Sequence, residues 1–353
     1  MERKKTKTVY VGGVAIGGWH PVTVQSMLSA PSGDTAANVA QAKKLELAGC
    51  EIIRVAVPDM QAVSLIPAIK EAVGLPLVAD IHFDWRLAVE AAAAGVDKIR
   101  INPGNIGGED HVRAVARACR EHGIPIRIGV NSGSIEKHIL QCYGHPTPEG
   151  MVESALYHIG LLNRFDFDDI VISLKASDVG MMVAAYELMS QQCSYPLHLG
   201  VTEAGTERMG LIKSAVGIGS LLTHGIGDTI RVSLTADPVL EVAAAIDILR
   251  AAGLRYDAPQ LISCPTCGRT KIDVIGLAAQ VERKLVGLKL PIKVAVMGCA
   301  VNGPGEAREA DIGIAGGDGE GLIFKNGEIL RKVPEERLLD ELMIEIEKLK
   351  QIQ

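Results

Sequence analysis

The first 250 residues alternate between short apolar runs and longer segments in which apolar positions recur every three or four residues. Short apolar runs bounded by glycine and polar residues are typical of buried strands, and the longer period is typical of helices. One phrase recurs: a helical segment ends in glycine, which favours the left-handed cap, and a short apolar strand then ends in arginine. The copies lie at residues 49–54, 95–100, 123–127 and 225–231.

This alternation predicts eight strand–helix units. The strands are predicted near residues 22–26, 52–57, 77–81, 98–102, 126–130, 170–175, 197–201 and 229–233. The helices between and after them are predicted at 35–48, 59–72, 84–94, 108–122, 149–163, 178–192, 206–222 and 237–251. Eight such units in about 250 residues are typical of a (β/α)8 TIM-type barrel, and the alternative is an open doubly wound sheet.

Two stretches of the first 250 residues do not follow the repeat. Residues 8–19 are broken by glycines and resemble a hairpin, and residues 134–150 are the weakest part of the pattern, where a short extra helix can precede the long one. After residue 252 a plausible linker leads into a different pattern, with helices near 273–287 and 335–350 and strands near 292–296, 311–315, 321–325 and 329–333. We therefore predict a barrel at residues 1–253 and a smaller α+β domain at 254–353.

Composition narrows the class of protein. Of the 353 residues, 48% are hydrophobic but only 3% aromatic, which suits a core of aliphatic strands under helices. The net charge of −6 argues against a broad nucleic-acid-binding face. No apolar run approaches the ~18 residues of a membrane span, and the basic N-terminus lacks the apolar stretch of a signal peptide. We expect a cytoplasmic protein with no membrane partner, whose seven cysteines do not form a disulfide framework.

Charged and polar residues lie toward the carboxyl ends of the predicted strands or just after them. In a barrel the carboxyl ends of all strands meet at one mouth, where functional residues gather. These positions hold Arg54, Asp80, His82, Arg100, Asn102, Arg127, Asn131, Lys175, Glu203, Arg231 and Ser233. A single arginine after a strand is commonly salt-bridged, and Arg231 is a candidate for that. As a set, however, the cations indicate a phosphate or diphosphate site, with Asp80 and Glu203 as carboxylates able to move protons.

Three cysteines near the C-terminus indicate a metal centre. Cys264 and Cys267 form a Cys-x-x-Cys motif, and Cys299 opens a glycine-rich loop. A zinc ribbon normally contains a second Cys-x-x-Cys motif, and a redox dithiol does not require Cys299. An iron–sulfur cluster is favoured over zinc, with Glu306 as the candidate fourth ligand or, alternatively, a surface or helix-capping carboxylate. The other cysteines are interpreted as ordinary residues: Cys50, Cys119, Cys142 and Cys193.

Over essentially its full length, the chain resembles the bacterial 4-hydroxy-3-methylbut-2-enyl diphosphate synthases of the methylerythritol phosphate isoprenoid route, in their short form. The resemblance rests on residues 21–27 (PVTVQSM), 80–83 (DIHF), 98–105 (KIRINPGN), 127–133 (RIGVNSG), 173–177 (SLKAS), 263–269 (SCPTCGR) and 297–306 (MGCAVNGPGE).

The resemblance implies an oxidoreductase. Its substrate would be 2-C-methyl-D-erythritol 2,4-cyclodiphosphate, reduced with two electrons to 4-hydroxy-3-methylbut-2-enyl diphosphate, with flavodoxin or ferredoxin as donor. A [4Fe–4S] cluster would be held by Cys264, Cys267, Cys299 and Glu306, and its unique iron would bind substrate. The diphosphate ligands would be Arg54, Arg100, Asn102, Arg127, Asn131, Lys175 and Ser233, with His82 beside them. A head-to-tail homodimer is also implied.

We assign the remaining roles as expectations. Glu203 is the carboxylate expected to contact or protonate the leaving hydroxyl, supported by Asp80. Two other classes remain open at this point. One is a phosphate-binding barrel lyase or aldolase with a structural zinc tail, which would use Lys175 as a Schiff base. The other is a non-catalytic electron carrier with a cluster.

Overall fold

The computed structural model describes residues 3–299 and 307–352. The chain divides into two compact units, with the division between Arg255 and Tyr256. Each unit has a sheet and an apolar core of its own.

The first unit is a barrel of parallel strands. Its strands are β3 (Thr23–Met27), β4 (Ile52–Ala56), β5 (Leu77–Asp80), β6 (Lys98–Ile101), β7 (Ile126–Asn131), β8 (Ile170–Lys175), β9 (His198–Leu199) and β10 (Thr229–Ile230). Across the described residues they form one eight-stranded sheet in the order β8-β7-β6-β5-β4-β3-β10-β9. A parallel bridge between Ile172 and Leu197 joins β8 to β9 and closes the ring. The predicted (β/α)8 barrel is therefore confirmed, and the alternative open sheet is wrong.

Helices follow the strands and cover the outside of the barrel. Their bounds are α1 (Thr35–Leu47), α2 (Met60–Val63), α3 (Leu65–Ala72), α4 (Trp85–Ala93), α5 (Pro103–Ile106), α6 (Glu109–Glu121), α7 (Lys137–Tyr143), α8 (Pro148–Asn163), α9 (Val179–Gln192), α10 (Glu207–Thr223) and α11 (Pro238–Ala251). Several begin at an aspartate whose carboxylate accepts a backbone N–H of the first turn, as Asp34 and Asp178 do. The helix predicted at 59–72 is two helices, because Pro67 has no N–H to donate to the turn before it.

Side chains alternate between the two faces of each barrel strand. The outward face carries the aliphatic residues of the main core, such as Ile99, Ile128 and Leu174, which pack against the helices. At the amino end the barrel is closed by an antiparallel hairpin of β1 (Val9–Val11) and β2 (Val14–Ile16), as the glycine-broken pattern predicted. Val11 and Ile16 of this hairpin are fully buried and form one cluster with Ile52 and Val78. The site-bearing interior therefore has an apolar floor.

The second unit is a five-stranded sheet with helices, as described for residues up to 299 and from 307. Its strands are β11 (Gln260–Ser263), β12 (Lys293–Met297), β13 (Ile312–Gly316), β14 (Glu320–Lys325) and β15 (Glu328–Pro334), in that order. The helices are α12 (Val274–Leu285) and α13 (Leu338–Ile352). Because β11 and β12 are parallel, with Ser263 opposite Val296, they end at the same edge of the sheet. Cys264 follows one of these strand ends and Cys299 the other.

Strand β11 was not predicted from the sequence.

Within the described residues, none of the helices combines the length and the apolar character needed to cross a membrane.

Candidate active site

The inward face of the barrel carries polar and charged side chains. The register pairs Asp80 with Arg100 and Arg100 with Arg127, so these three side chains point to the same side of the sheet. Lys175 lies on that side too, opposite Asn131. The fold therefore gathers in one place residues that were chosen from the sequence for their positions near strand ends.

Asp80 is the centre of a buried charge network. Its Oδ1 accepts a hydrogen bond of 3.0 Å from Arg100 Nη1, and its Oδ2 lies 3.5 Å from both Arg54 Nε and His82 Nε2. The side chains of Asp80, Arg100 and Arg54 are 3%, 9% and 11% exposed, whereas that of His82 is 49% exposed. The structure thus joins four of the predicted residues through one carboxylate.

Burial alone would raise the pKa of Asp80, but Arg54, the hydrogen bond to His82 and Arg100 together hold it well below its usual range. Asp80 is therefore an ionised group at neutral pH, suited to orienting the two arginines. Arg54 has a second contact on its other side, where Nη2 lies 2.7 Å from the sulfur of Met27. Burial lowers the pKa of Arg54 to about 10, which still leaves the guanidinium charged at neutral pH.

Arg127 is fully buried, and its three guanidinium nitrogens have no hydrogen-bond partner among the described residues. Burial, followed by the charges of Arg54 and Arg100, lowers its pKa, but a guanidinium starts so high that it stays protonated. A buried charge without a partner is costly, and such groups are normally paired. Arg127 therefore presents three donor nitrogens that a bound anion can satisfy.

Lys175 lies at the end of β8 and is 7% exposed. Gly200 makes room for it: a Cβ at Gly200 would lie 3.1 Å from Lys175 Nζ and 2.8 Å from the backbone oxygen of Arg231. Burial and then the charge of Arg54 lower the pKa of Lys175 well below its ordinary range. An amine in this position is sensitive to any negative charge that enters the barrel.

Asn102 and Asn131 are joined by a hydroxyl. Asn102 Nδ2 donates to Ser134 Oγ at 3.0 Å, and Ser134 Oγ donates to the backbone oxygen of Asn131 at 3.2 Å. The side-chain oxygen of Asn102 also accepts the N–H of Gly104 at 3.2 Å, which caps the short helix α5. The amide side chain of Asn102 is thereby fixed from two sides next to Arg100.

The remaining predicted barrel residues are less constrained. Glu203 is exposed on the loop after β9 and has a positive φ of 52°. Ser233 is half-buried. Arg231 donates through Nη2 to both oxygens of Glu241 at 3.0 and 3.1 Å, so the ion pair considered for it is present. Glu241 also accepts the hydroxyl of Ser26 at 3.0 Å.

Sequence reasoning missed several inward-facing residues below the strand ends. Lys98, Gln25 and His198 are at most 1% exposed, and each has a side-chain nitrogen without a partner among the described residues. The alternation of side chains along a strand could have identified Lys98, because it precedes Arg100 by two residues and so lies on the same face of the strand. Position at a strand end does not identify it, because Lys98 begins its strand.

The cysteines of the second unit lie near the carboxyl edge of its sheet. Cys264 Sγ accepts the backbone N–H of Gly298 at 3.1 Å, which brings it beside the backbone that carries Cys299. Cys267 is exposed, and hydrogen bonds from the backbone and side chain of Arg269 lower the pKa of its thiol. Glu306, the predicted fourth ligand, lies outside the described residues.

These residues fit an iron–sulfur cluster in their chemistry. Three free thiols are available, and a backbone N–H already points at one sulfur, as is common around cluster ligands. In the described parts of the chain no three metal-binding side chains are gathered into one group. The three cysteines are therefore suitable ligands for a cluster. Among residues 3–299 and 307–352, however, they are not gathered around one point.

The barrel unit is similar to solved barrels of low sequence identity. Dihydropteroate synthase from Stenotrophomonas maltophilia matches with a TM-score of 0.53 at 15% identity, covering 70% of this chain and 97% of that one. Type I 3-dehydroquinate dehydratase from Clostridium difficile matches with a TM-score of 0.51 at 14% identity, covering 70% and 98%. These similarities concern the fold alone.

Two family models match the two units: the GcpE TIM-barrel domain over residues 6–246, and the GcpE protein C-terminal domain over residues 260–348. Curated relatives include the proteins named 4-hydroxy-3-methylbut-2-en-1-yl diphosphate synthase (flavodoxin) of Geobacillus thermodenitrificans and Halalkalibacterium halodurans. The first is 59% identical over 99% of this chain and 93% of its own length, and the second 58% over 98% and 95%. With both of its domains matched and such identity over nearly its whole length, the chain belongs to the GcpE family.

Proposed function

We propose that this chain is a 4-hydroxy-3-methylbut-2-enyl diphosphate synthase. It takes 2-C-methyl-D-erythritol 2,4-cyclodiphosphate, adds two electrons and two protons, and releases one water as the ring opens. The observation that carries the proposal is the group of buried cations on the inward face of the barrel, above all the unpartnered guanidinium of Arg127. The alternatives of a lyase with a zinc tail and of a non-catalytic carrier are set aside, because relatives matching nearly the full chain are named for the synthase reaction.

The diphosphate is proposed to bind in the barrel mouth. Arg127 and Arg100 provide guanidinium donors suited to phosphate oxygens, and Asp80 keeps Arg54 and Arg100 in place. The proposed ligands are Arg54, His82, Arg100, Asn102, Arg127, Asn131, Lys175 and Ser233. Gripping the diphosphate positions the reacting carbons and stabilises the charge on the departing phosphate oxygen.

The proposed cofactor is a [4Fe–4S] cluster held by Cys264, Cys267, Cys299 and Glu306. When bound, such a cluster supplies electrons one at a time and has one iron whose carboxylate ligand can be exchanged. The chain itself contributes the thiolates and the N–H of Gly298, which donates to the sulfur of Cys264. Backbone donors to sulfur stabilise the added negative charge of a reduced centre.

Glu203 is proposed to donate a proton to the leaving hydroxyl. Its exposed position on the loop after β9 leaves the carboxyl accessible at the mouth. Asp80, by contrast, is held ionised by three neighbours and orients the arginines. Glu203→Gln should lower kcat by about a hundredfold or more, a usual size for a lost general acid, with the visible spectrum unchanged. Near-full turnover in this variant would exclude the role.

The main test uses anaerobically purified protein. We expect a brown protein with broad visible absorbance that converts the cyclic diphosphate when reduced flavodoxin is supplied. Cys264→Ser should abolish both colour and turnover, whereas Cys142→Ser, which changes an exposed cysteine of the barrel unit, should keep both. A colourless protein, or a coloured protein that reduces no cyclic diphosphate, would refute the proposal. Reduced ferredoxin in parallel reactions tests the donor.

The active form is further proposed to be a head-to-tail homodimer, as in the family resemblance, in which the thiol unit of one protomer works with the barrel of its partner. Mixing two inactive variants can test whether the site is shared between protomers. Glu203→Gln and Cys264→Ser protomers, each inactive alone, should regain part of the activity when they are unfolded, refolded and reconstituted together. If the two protomers exchange, as shown by differently tagged chains purifying together, and no activity returns, each protomer builds its own site.

A further inference from the structure

Lys98 lies inside the barrel beneath the proposed diphosphate ligands. It begins strand β6, two residues before Arg100, and its register partner is Val78, which packs on the hairpin that closes the barrel floor. The side chain has no solvent-accessible surface. Its ammonium nitrogen has no hydrogen-bond partner among the described residues.

The groups that share the barrel interior with Lys98 are mostly cationic. From the strands around it these are Arg54, Asp80, Arg100, Arg127, Lys175, His198 and Arg231. Asp80, the carboxylate in this set, is already engaged by Arg54, His82 and Arg100. Arg231 is neutralised by Glu241. Lys98 and Arg127 therefore lie together as buried cations without a counter-ion on the described chain.

Two neighbouring buried cations of this kind do not both stay charged. The guanidinium of Arg127 is the stronger acceptor of a proton, and arginine stays protonated in proteins. An amine has an ordinary pKa two to three units lower, so lysine is the group that loses its proton. In agreement, burial and then the charges of Arg127 and Arg54 hold the pKa of Lys98 well below its ordinary range.

We propose that Lys98 is a further residue of the diphosphate site, uncharged while the barrel is empty and protonated by one solvent proton when a dianionic diphosphate binds. The inference rests on the proposed function, since it takes the cyclic diphosphate as the ligand. The step adds H⁺ to the amine lone pair to give an ammonium and needs no other reactant. Lys98 acts through the field it adds beneath Arg127, as a positioning residue, and it does not touch the reacting carbons.

Uptake of one proton makes ligand binding depend on pH. Each proton taken up weakens binding about tenfold for every unit by which the pH rises, over the range in which the empty site is unprotonated and the filled site is protonated. Replacing Lys98 with methionine, which is similar in length and carries no charge, should weaken binding about tenfold or more at neutral pH. The affinity of this variant should also fall less steeply as the pH rises, because one proton fewer is taken up on binding.

Isothermal titration calorimetry of the oxidised holoenzyme tests this, because without a reductant the substrate binds and does not react. The cyclic diphosphate is titrated in two buffers of different ionisation enthalpy, which gives the number of protons taken up. The ligand contributes none near pH 7, since each phosphorus of a cyclic diphosphate carries one strongly acidic hydroxyl. Wild type, Lys98→Met and Lys175→Met are compared, since Lys175 is a second buried amine on the same face.

We expect Lys98→Met to remove about one proton from the wild-type uptake. Wild type that binds without proton uptake, or uptake that Lys98→Met leaves unchanged, would overturn the inference, and loss of the uptake in Lys175→Met would then assign the proton to Lys175. Wild type that gives no binding heat at all would instead reject the proposed substrate. Circular dichroism and the visible spectrum check that Lys98→Met is folded and loaded. Should it fail to fold, Lys98→Gln replaces it, and the wild-type measurement alone can still refute the proposal.

Discussion

Gly129 lies against the guanidinium of Arg100: a Cβ at Gly129 would be 2.5 Å from Arg100 Nε and 2.7 Å from Nη2. Real Cβ atoms do not approach so closely, so Gly129→Ala must displace Arg100 and strain its 3.0 Å bond to Asp80. The displaced guanidinium can no longer direct its N–H groups at the phosphate oxygens. We therefore expect KM for the cyclic diphosphate to rise about tenfold or more. Steady-state kinetics with reduced flavodoxin measure this.

Gly133→Ala is the matched control. Gly133 lies four residues further along, just after the end of β7, and a Cβ there meets nothing within 4 Å. We expect its KM to stay within about twofold of wild type. Equal increases in both variants would mean that the loop, and not the space beside Arg100, sets substrate binding.

Asp80→Asn should destabilise the barrel. It removes the charge shared by Arg54, His82 and Arg100 and leaves two buried arginines without a carboxylate, which typically costs about 3–5 kcal/mol. Asp80 is 3% exposed, whereas Asp110, paired with Arg113 on the surface, is 87% exposed. Asp110→Asn should therefore cost less than about 1 kcal/mol. Urea unfolding of each variant gives these free energies.

The pH dependence of the Asp80 effect follows from its lowered pKa. A carboxyl whose folded pKa is depressed stabilises the protein above its unfolded pKa, and this stabilisation is lost as the pH falls through the folded pKa. The difference in free energy between wild type and Asp80→Asn should therefore be constant between pH 5 and 8 and should shrink only in acid. A difference that disappears near neutrality would show that Asp80 is protonated there.

Most of the fold was predictable from the alternation of apolar periods, and the prediction was sharpest in the four units where a glycine cap also precedes the strand. The run ending at Arg100 is both apolar and preceded by a glycine cap, and its observed strand, Lys98–Ile101, differs from the prediction by one residue. Strand β11 (Gln260–Ser263) was not predicted, because its four residues are partly or fully exposed and show no apolar run. Its pairing with β12 is a tertiary contact that local pattern does not encode.

The candidate site was predictable to the extent that strand ends define it. The grouping of Asp80 with Arg54 and Arg100 follows from barrel geometry alone. The contact between Glu136 and His158 does not, since 22 residues separate them and no shared motif links them. Such pairs depend on how a loop packs on a helix, which requires the folded chain.

Glu136 and His158 form a partly buried pair beneath the loop that carries Asn102. Glu136 Oε1 bonds to His158 Nε2, and a Cβ at Gly104 would lie 2.7 Å from the same oxygen. Burial alone would raise the pKa of Glu136, but the hydrogen bond with His158 lowers it to about 2. Glu136→Gln removes this charge-assisted bond and should destabilise the barrel at pH 7 by about 1–3 kcal/mol.

The sign of the pH effect distinguishes this pair from a loss of packing. The depressed pKa of Glu136 means that its contribution is complete above the ordinary value of 4.5 and is lost as the pH falls toward about 2. Urea unfolding at a series of pH values should show wild type and Glu136→Gln converging over that range. Glu149→Gln, at an exposed glutamate of helix α8, is the control and should follow wild type throughout. A constant difference down to pH 2 would assign the effect to packing.

Arg127→Met should separate stability from binding. The guanidinium is fully buried and all three of its nitrogens lack partners on the described chain, so the empty barrel carries an uncompensated charge. Replacing it with an apolar side chain of similar length should leave the free energy of unfolding unchanged or raise it by about 1–4 kcal/mol, because this unpaired charge no longer has to be buried. The same change should abolish the stabilisation that the cyclic diphosphate gives to wild type, since the ligand loses its most buried cation. Urea unfolding with and without the ligand measures both effects on one protein. A variant that is less stable than wild type in the absence of ligand would mean that Arg127 is already satisfied in the empty barrel and supports the fold itself.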